Sequence, residues 1–148
     1  MTNSTSRFPS SFVIADTSAR LRIDRSPVAA AQWKLAKETS AIGTCAVVTL
    51  ELFNSARNAH GVALFDAEER TLRTVSITRS MQEAAVCAAR ELSRRGAGYH
   101  RVPPADALIA AAAQEVGADV LHYDHHFDRL AEVLHFRSLW LAPAGSLS

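Results

Sequence analysis

Apolar and polar positions alternate along this chain in blocks that predict strands and helices in turn. The run Phe12-Val13-Ile14-Ala15 breaks at Asp16-Thr17-Ser18, the pattern of a short buried strand entering a polar turn. Ser26-Pro27 opens a helix reaching about Glu38, with Ser as the cap and Pro in the first turn, where its missing N–H costs nothing. Thr44-Cys45-Ala46-Val47-Val48 reads as a second strand. Thr49 then caps a helix with Glu51 in its first turn and Leu52, Ala56 and Ala59 at helical spacing. Residues 66–72 suggest a short helix, and Leu72 to Ile77 alternate as a strand does. Ser80 to Arg95 form a helix stopped by Gly96-Ala97-Gly98. After Pro103-Pro104 comes a helix over 105–116 closed by Gly117, a strand from Asp119 to Tyr123, a helix over 125–134 and a last strand from Ser138 to Leu141. Strands that alternate with helices imply an α/β fold of three α/β/α layers, a central parallel sheet covered on both faces. Residues 1–10, polar and rich in Ser and Thr, read as a flexible extension, and 11–148 as a single domain.

Composition narrows the class without choosing a function. Of 148 residues 48% are hydrophobic and 21% charged, enough apolar surface to bury a core. Net charge is +1, so no global field draws the chain to nucleic acid or to a membrane. Of 16 basic residues 14 are Arg, which suits bidentate phosphate contact and equally suits an Arg-rich genome. Cys45 and Cys87 stand far apart in no metal-binding spacing and read as two small core thiols of a reduced, cytoplasmic protein. No signal peptide is visible, and the apolar run Ala107 to Ala113 is far short of the roughly 20 residues a membrane helix needs.

In a parallel sheet, sites form beyond the carboxyl ends of the strands. Asp16 follows the first strand, Glu51 the second, and Asp124 follows Leu121-His122-Tyr123, while Asp106 lies in the first turn after the two prolines. Each has an ordinary structural use. A carboxylate in a first helical turn gains about 0.3–1 kcal/mol from the macrodipole, and Asp16 and Asp124 can cap turns. Converging on one sheet edge, however, the four would repel strongly unless something positive lay among them. Mg²⁺ or Mn²⁺, which prefer oxygen ligands, would supply that charge and could activate water against a phosphodiester. His122, His125 and His126 raise a zinc reading, but no Cys joins them and His122, inside the strand, points away from at least one of the others.

The chain resembles the PIN-domain ribonucleases, in particular the VapC-type toxins of bacterial toxin–antitoxin pairs. The resemblance lies in Ile14-Ala15-Asp16-Thr17-Ser18-Ala19, in Thr49-Leu50-Glu51-Leu52 with Ser55-Ala56-Arg57, and in Val102-Pro103-Pro104-Ala105-Asp106-Ala107-Leu108-Ile109-Ala110-Ala111. It continues in Leu121-His122-Tyr123-Asp124-His125-His126-Phe127-Asp128 and in the tail from Trp140 to Leu147, in the same order and spacing across nearly all of 12–147. It implies a metal-dependent endoribonuclease whose quartet Asp16, Glu51, Asp106 and Asp124 binds Mg²⁺ or Mn²⁺ and activates water. It also implies an RNA substrate, a cognate antitoxin and a homodimer. Ser18 matches a hydroxyl beside the first Asp, able to bond a carboxylate, a phosphate or only backbone. Arg57 matches an Arg near the cleft, suited to phosphate or to a surface ion pair. One position departs. These toxins usually read Asp-x-Asp-Phe in the fourth motif, and here His126 replaces the second acid. An imidazole there can be a ligand that favours Mn²⁺ or a transition metal over Mg²⁺, or it can only hydrogen-bond, or activity can be impaired. The alternative function is a PIN-like module that binds RNA or a partner without cutting; DNA is a lesser alternative as substrate.

Overall fold

A computed structural model describes residues 12–147; the extension expected for residues 1–10 lies outside them. Five parallel strands form one sheet: β1 (Phe12–Ala15), β2 (Ala41–Cys45), β3 (Arg73–Val75), β4 (Asp119–His122) and β5 (Ser138–Trp140), in the order β3-β2-β1-β4-β5. Every residue of β1 and β4 is buried, which is why these strands read as apolar runs and not as half-buried alternations. Phe12, Ile14 and Val120 face one core with α3 (Ala46–Ser55), α5 (Arg79–Arg95), α6 (Pro104–Val116) and α7 (His126–Leu130). Val13, Ala15, Ile42 and Leu121 face the other, with α1 (Thr17–Arg20) and α2 (Pro27–Thr39). The remaining helix, α4 (Ala59–Glu69), follows α3. The expected three-layer α/β/α architecture in a single domain is what the chain adopts.

The order of the strands reverses direction at β1: the chain builds outward to β2 and β3, then returns to lay β4 on the other side of β1. A crevice opens outside the carboxyl ends at such a switch point. Asp16 and Asp124 stand there, one and two residues beyond their strands.

Several local expectations hold. Ser26 caps α2 by accepting from the Ala29 N–H at 3.1 Å, and Gly117 ends α6 at φ +69, a left-handed conformation that suits glycine. Others shift. The second strand is Ala41–Cys45, not 44–48: Gly43 belongs inside it because a Cβ there would come within 2.4 Å of the Phe12 ring. The chain then turns straight into α3, so Val47 and Val48 are helical and Thr49 is no cap. Its hydroxyl instead bonds the Cys45 carbonyl at 3.2 Å and the Glu69 carboxylate. Glu51 is therefore the sixth residue of α3, beyond the first turn where the macrodipole would account for it. Asn58 breaks the helix that Ala56 and Ala59 seemed to continue and caps α4, of which the expected helix at 66–72 is only the end. The polar turn after Asp16 is the short α1 followed by a 3₁₀ turn, Ile23–Arg25. The helix expected over 125–134 closes at Leu130 and continues as turns. Cys45 is a core thiol, but Cys87 is exposed on α5.

A buried ion pair joins these elements around the crevice. Arg20, at the end of α1, pairs with Glu69 and, at 3.2 Å, with Glu68. The Glu69 carboxylate also accepts from Thr44 of β2 (2.6 Å) and Thr49 of α3. Three segments bordering the carboxylates thus share one charged partner on α4. Nothing in the sequence marked Arg20 for this, because it fell within what read as a polar turn.

Candidate metal centre

Asp16 shows how capping and chemistry divide one carboxylate. Its Oδ2 caps α1, accepting from the Ser18 N–H at 3.0 Å and the Ser18 hydroxyl at 2.6 Å. Its Oδ1 is buried and meets no hydrogen-bond partner. Burial raises the Asp16 pKa despite the Ser18 bonds that oppose it. The structural use of Asp16 is real, then, and leaves one oxygen over.

Asp106 lies in the first turn of α6, as expected, and is only 5% exposed. Its Oδ2 is buried without a hydrogen-bond partner. Burial first, then the charges of Asp16, Asp124 and Glu51, push its pKa from the ordinary 3.8 up to about 8. The field of all three other acids therefore reaches Asp106. Glu51 is half-buried on α3, raised by burial and by Asp16, with the Thr17 hydroxyl 3.5 Å from Oε1. Asp124 Oδ1 accepts the His126 N–H at 3.1 Å, the bond that starts α7. The turn places the His126 ring among the acids, with Nδ1 2.7 Å from Asp124 Oδ1 and 3.5 Å from Asp106 Oδ2.

The structure thus brings Asp106, Asp124 and His126 into contact beyond the carboxyl ends of the central strands, and the charges of Asp16 and Glu51 act on Asp106. Buried oxygens of Asp16 and Asp106 without hydrogen bonds, on acids that raise one another's pKa, fit a divalent cation: it would satisfy lone pairs that no hydrogen bond fills and neutralise charge that burial makes costly. His125, exposed beside them, offers a further donor, and one ligand atom each from Asp124, His125 and His126 lies within 4.8 Å of the others. His122 takes no part in that cluster. It is fully buried, its ring stacked on Phe127.

Ser18 commits its one hydrogen to Asp16 and also accepts the Tyr123 N–H at 2.9 Å, so that it bridges the ends of β1 and β4. Arg57 is exposed in the turn between α3 and α4 and, among the described residues, makes no ion pair. No helix among the described residues is long and apolar enough to cross a membrane.

Comparison with known proteins places this arrangement in a family. The PIN domain model matches residues 13–133. Ribonuclease VapC18 of Mycobacterium tuberculosis is 35% identical over 133 residues, 89% of this chain and 96% of the relative. Ribonuclease VapC51 of the same organism is 34% identical over 134 residues, 90% and 96% of the two chains. Among solved structures, DNA-bound VapBC from Salmonella typhimurium aligns with a TM-score of 0.70 at 14% identity, over 90% of this chain and 100% of that one. VapBC-1 from nontypeable Haemophilus influenzae aligns at 0.68 and 14% identity, over 87% and 96%. At such identity the two structures speak for the fold alone; the family rests on the domain match and the mycobacterial relatives. The chain is a PIN-domain protein, homologous to the VapC-family toxins of bacterial type II toxin–antitoxin systems.

Proposed function

We propose that this chain is a metal-dependent endoribonuclease, the toxin of its pair, and that Asp16, Glu51, Asp106 and Asp124 hold the cation, with His126 beside them. What supports the reading is that the charges of Asp16, Asp124 and Glu51 all act on Asp106 beside the switch point, together with buried oxygens on Asp16 and Asp106 that accept no hydrogen bond. The names of the mycobacterial relatives, both ribonucleases, agree with it. A bound Mg²⁺ or Mn²⁺ would make attacking water more acidic and offset charge developing on the phosphoryl oxygens.

The chain's own part is to bind and orient. Asp16 is held by Ser18 on one oxygen, which leaves the other buried and free to hold a cation. Asp124 is held through Oδ1 by the His126 amide. Asp106, its pKa pushed up to about 8 by burial and by the charges of Asp16, Asp124 and Glu51, would hold the cation as its ionised carboxylate. RNA would lie across the open face of the crevice, with Arg57 at the turn after α3 as a candidate phosphate contact. Ser18 would serve substrate only at the expense of its bond to Asp16.

We assign His126 to the metal as a ligand. It would hold the cation beside Asp124 and Asp106, since Nδ1 lies 2.7 Å from Asp124 Oδ1, a contact without hydrogen-bond geometry, and 3.5 Å from Asp106 Oδ2. An imidazole brings no charge and a softer donor, so wild-type cleavage is expected to be faster with Mn²⁺ than with Mg²⁺. His126→Asp raises the Mg²⁺-supported rate roughly tenfold and narrows the gap. Cleavage rates across titrations of each ion, for both proteins, check this. An unchanged ratio removes His126 from the ligand set.

The same residue favours a second reading, a PIN-like module that grips RNA or a protein without cutting, since His126 stands where the toxins this chain resembles usually carry a second acid. RNA that is bound but left intact with either ion would favour it. A cognate antitoxin made beside the toxin, and a homodimer, complete the proposal. An antitoxin Arg among the acids could replace the cation's charge and exclude water. Light scattering of the isolated chain and cleavage assays with the neighbouring gene product test these partners; a strict monomer that no adjacent protein inhibits counts against the toxin role.

A further inference from the structure

Beneath the carboxylates, β4 carries an imidazole with both ring nitrogens in use. His122 is fully buried, with its ring centroid 4.9 Å from that of Phe127 and 4.9 Å from that of Trp140. Its Nδ1 accepts the backbone N–H of Asp124 at 3.0 Å. An imidazole that accepts at Nδ1 carries its proton on Nε2, so Nε2 donates to Ser138 Oγ, 2.6 Å away. Ser138 donates onward to Asp128 Oδ1 at 2.7 Å, and Asp128 also accepts the Trp140 indole N–H at 3.1 Å. Donors and acceptors run in one direction, from the Asp124 peptide through His122 and Ser138 to Asp128, and this order fixes the tautomer.

The preceding peptide is held too, since Ser18 Oγ accepts the Tyr123 N–H. Two successive amides of the turn that carries Asp124 thus end on side chains placed by other elements. We propose that His122 is a positioning residue for the candidate metal centre: through the Asp124 amide it fixes the turn from which that carboxylate projects, while Ser138 and Asp128 fix its ring. The inference rests on the reading of Asp124 as a cation ligand. Partners behind a ligand commonly matter about 10- to 100-fold in metal affinity, and a turn held by backbone bonds presents its carboxylate already oriented.

His122→Phe keeps a ring against Phe127 and Trp140 and removes both hydrogen bonds. His122→Asn returns an acceptor near the Nδ1 position. Ser138→Ala, at the edge of the sheet, releases the ring with little demand on the fold, and Leu92→Val serves as a core-destabilised control. Two readouts apply: exchange of the Asp124 amide by NMR in metal-free protein, and Mn²⁺ affinity by calorimetry. His122→Phe should speed Asp124 exchange roughly tenfold, as expected for one lost hydrogen bond, and weaken Mn²⁺ about tenfold or more; Ser138→Ala, which leaves the Nδ1 bond but frees the ring, should move both in the same direction and by less. His122→Asn should recover much of both, and Leu92→Val should change neither. The proposal is overturned if Asp124 exchange and Mn²⁺ affinity stay at wild-type values in His122→Phe and Ser138→Ala, or if His122→Asn is as impaired as His122→Phe. If wild type binds Mn²⁺, Asp124→Asn does not, and the His122 variants match wild type, the positioning role alone fails. A wild-type protein that binds no Mn²⁺ removes the cation reading and this role with it.

Discussion

Asp16→Asn and Asp124→Asn should each lower RNA cleavage by roughly 10³-fold or more and leave the fold intact. Asparagine at position 16 keeps an oxygen to accept from Ser18, so α1 stays capped. What it loses is the negative charge on the oxygen without a partner, which is the charge a cation needs. Because Asp16 raises the pKa of both Glu51 and Asp106, removing its charge also relieves repulsion, and metal-free Asp16→Asn should melt no lower than wild type. Cleavage and melting temperature measured on the same preparations test both halves. Wild-type cutting by either variant takes that acid out of the mechanism, and a large fall in melting temperature makes its role structural.

The second large effect is a stability that falls as pH rises. Asp106 titrates near its ordinary 3.8 when the chain is unfolded and at about 8 when folded. Below pH 4 both states are protonated and Asp106 contributes no difference. Between those values the folded state holds a proton that the unfolded state has released, so stability declines with rising pH and levels off beyond about 8. Asp16 and Glu51, raised in the same direction, add to the slope. The decline is on the order of a few kcal/mol for metal-free protein between pH 5 and pH 8. Mn²⁺, binding the ionised form, should restore stability most at the upper end, and Asp106→Asn should flatten the metal-free slope. Urea unfolding at the two pH values, with and without Mn²⁺, decides this. A metal-free wild type equally stable at both would mean that neither burial nor the neighbouring acids raise Asp106.

These expectations draw on features that differ in how plainly the sequence displays them. Phe12 to Ala15 and the acid that follows could be read directly, because a strand buried on both faces has no polar position to blur it and the chain must leave the sheet at a polar residue. Asp106 was equally legible, framed by two prolines and by Gly117, whose backbone preferences bracket a helix. The sites that misled were those where tertiary contacts override local chemistry. Thr49 looked like a cap because its hydroxyl precedes an apolar helical pattern, yet that hydroxyl serves a carboxylate on α4 that no spacing announces. The second strand begins earlier than its apolar run because it includes Gly43, whose missing side chain leaves space that the Phe12 ring occupies. Arg20 and His122 were beyond reach for a related reason: each acts through partners 49 and 16 residues away. His126 was visible as a departure from the family, but its closeness to Asp106 as well as Asp124 depends on how β4 turns into α7.

The central claim, that these carboxylates cut RNA by holding a divalent cation, is tested most directly by titrating Mn²⁺ into the purified chain while following both metal occupancy and cleavage of a labelled structured RNA. Cleavage should be absent in EDTA, rise in step with occupancy of the site, and be lost with the metal when EDTA is added back. Undiminished cleavage in EDTA, or full occupancy with the RNA left intact, would contradict it.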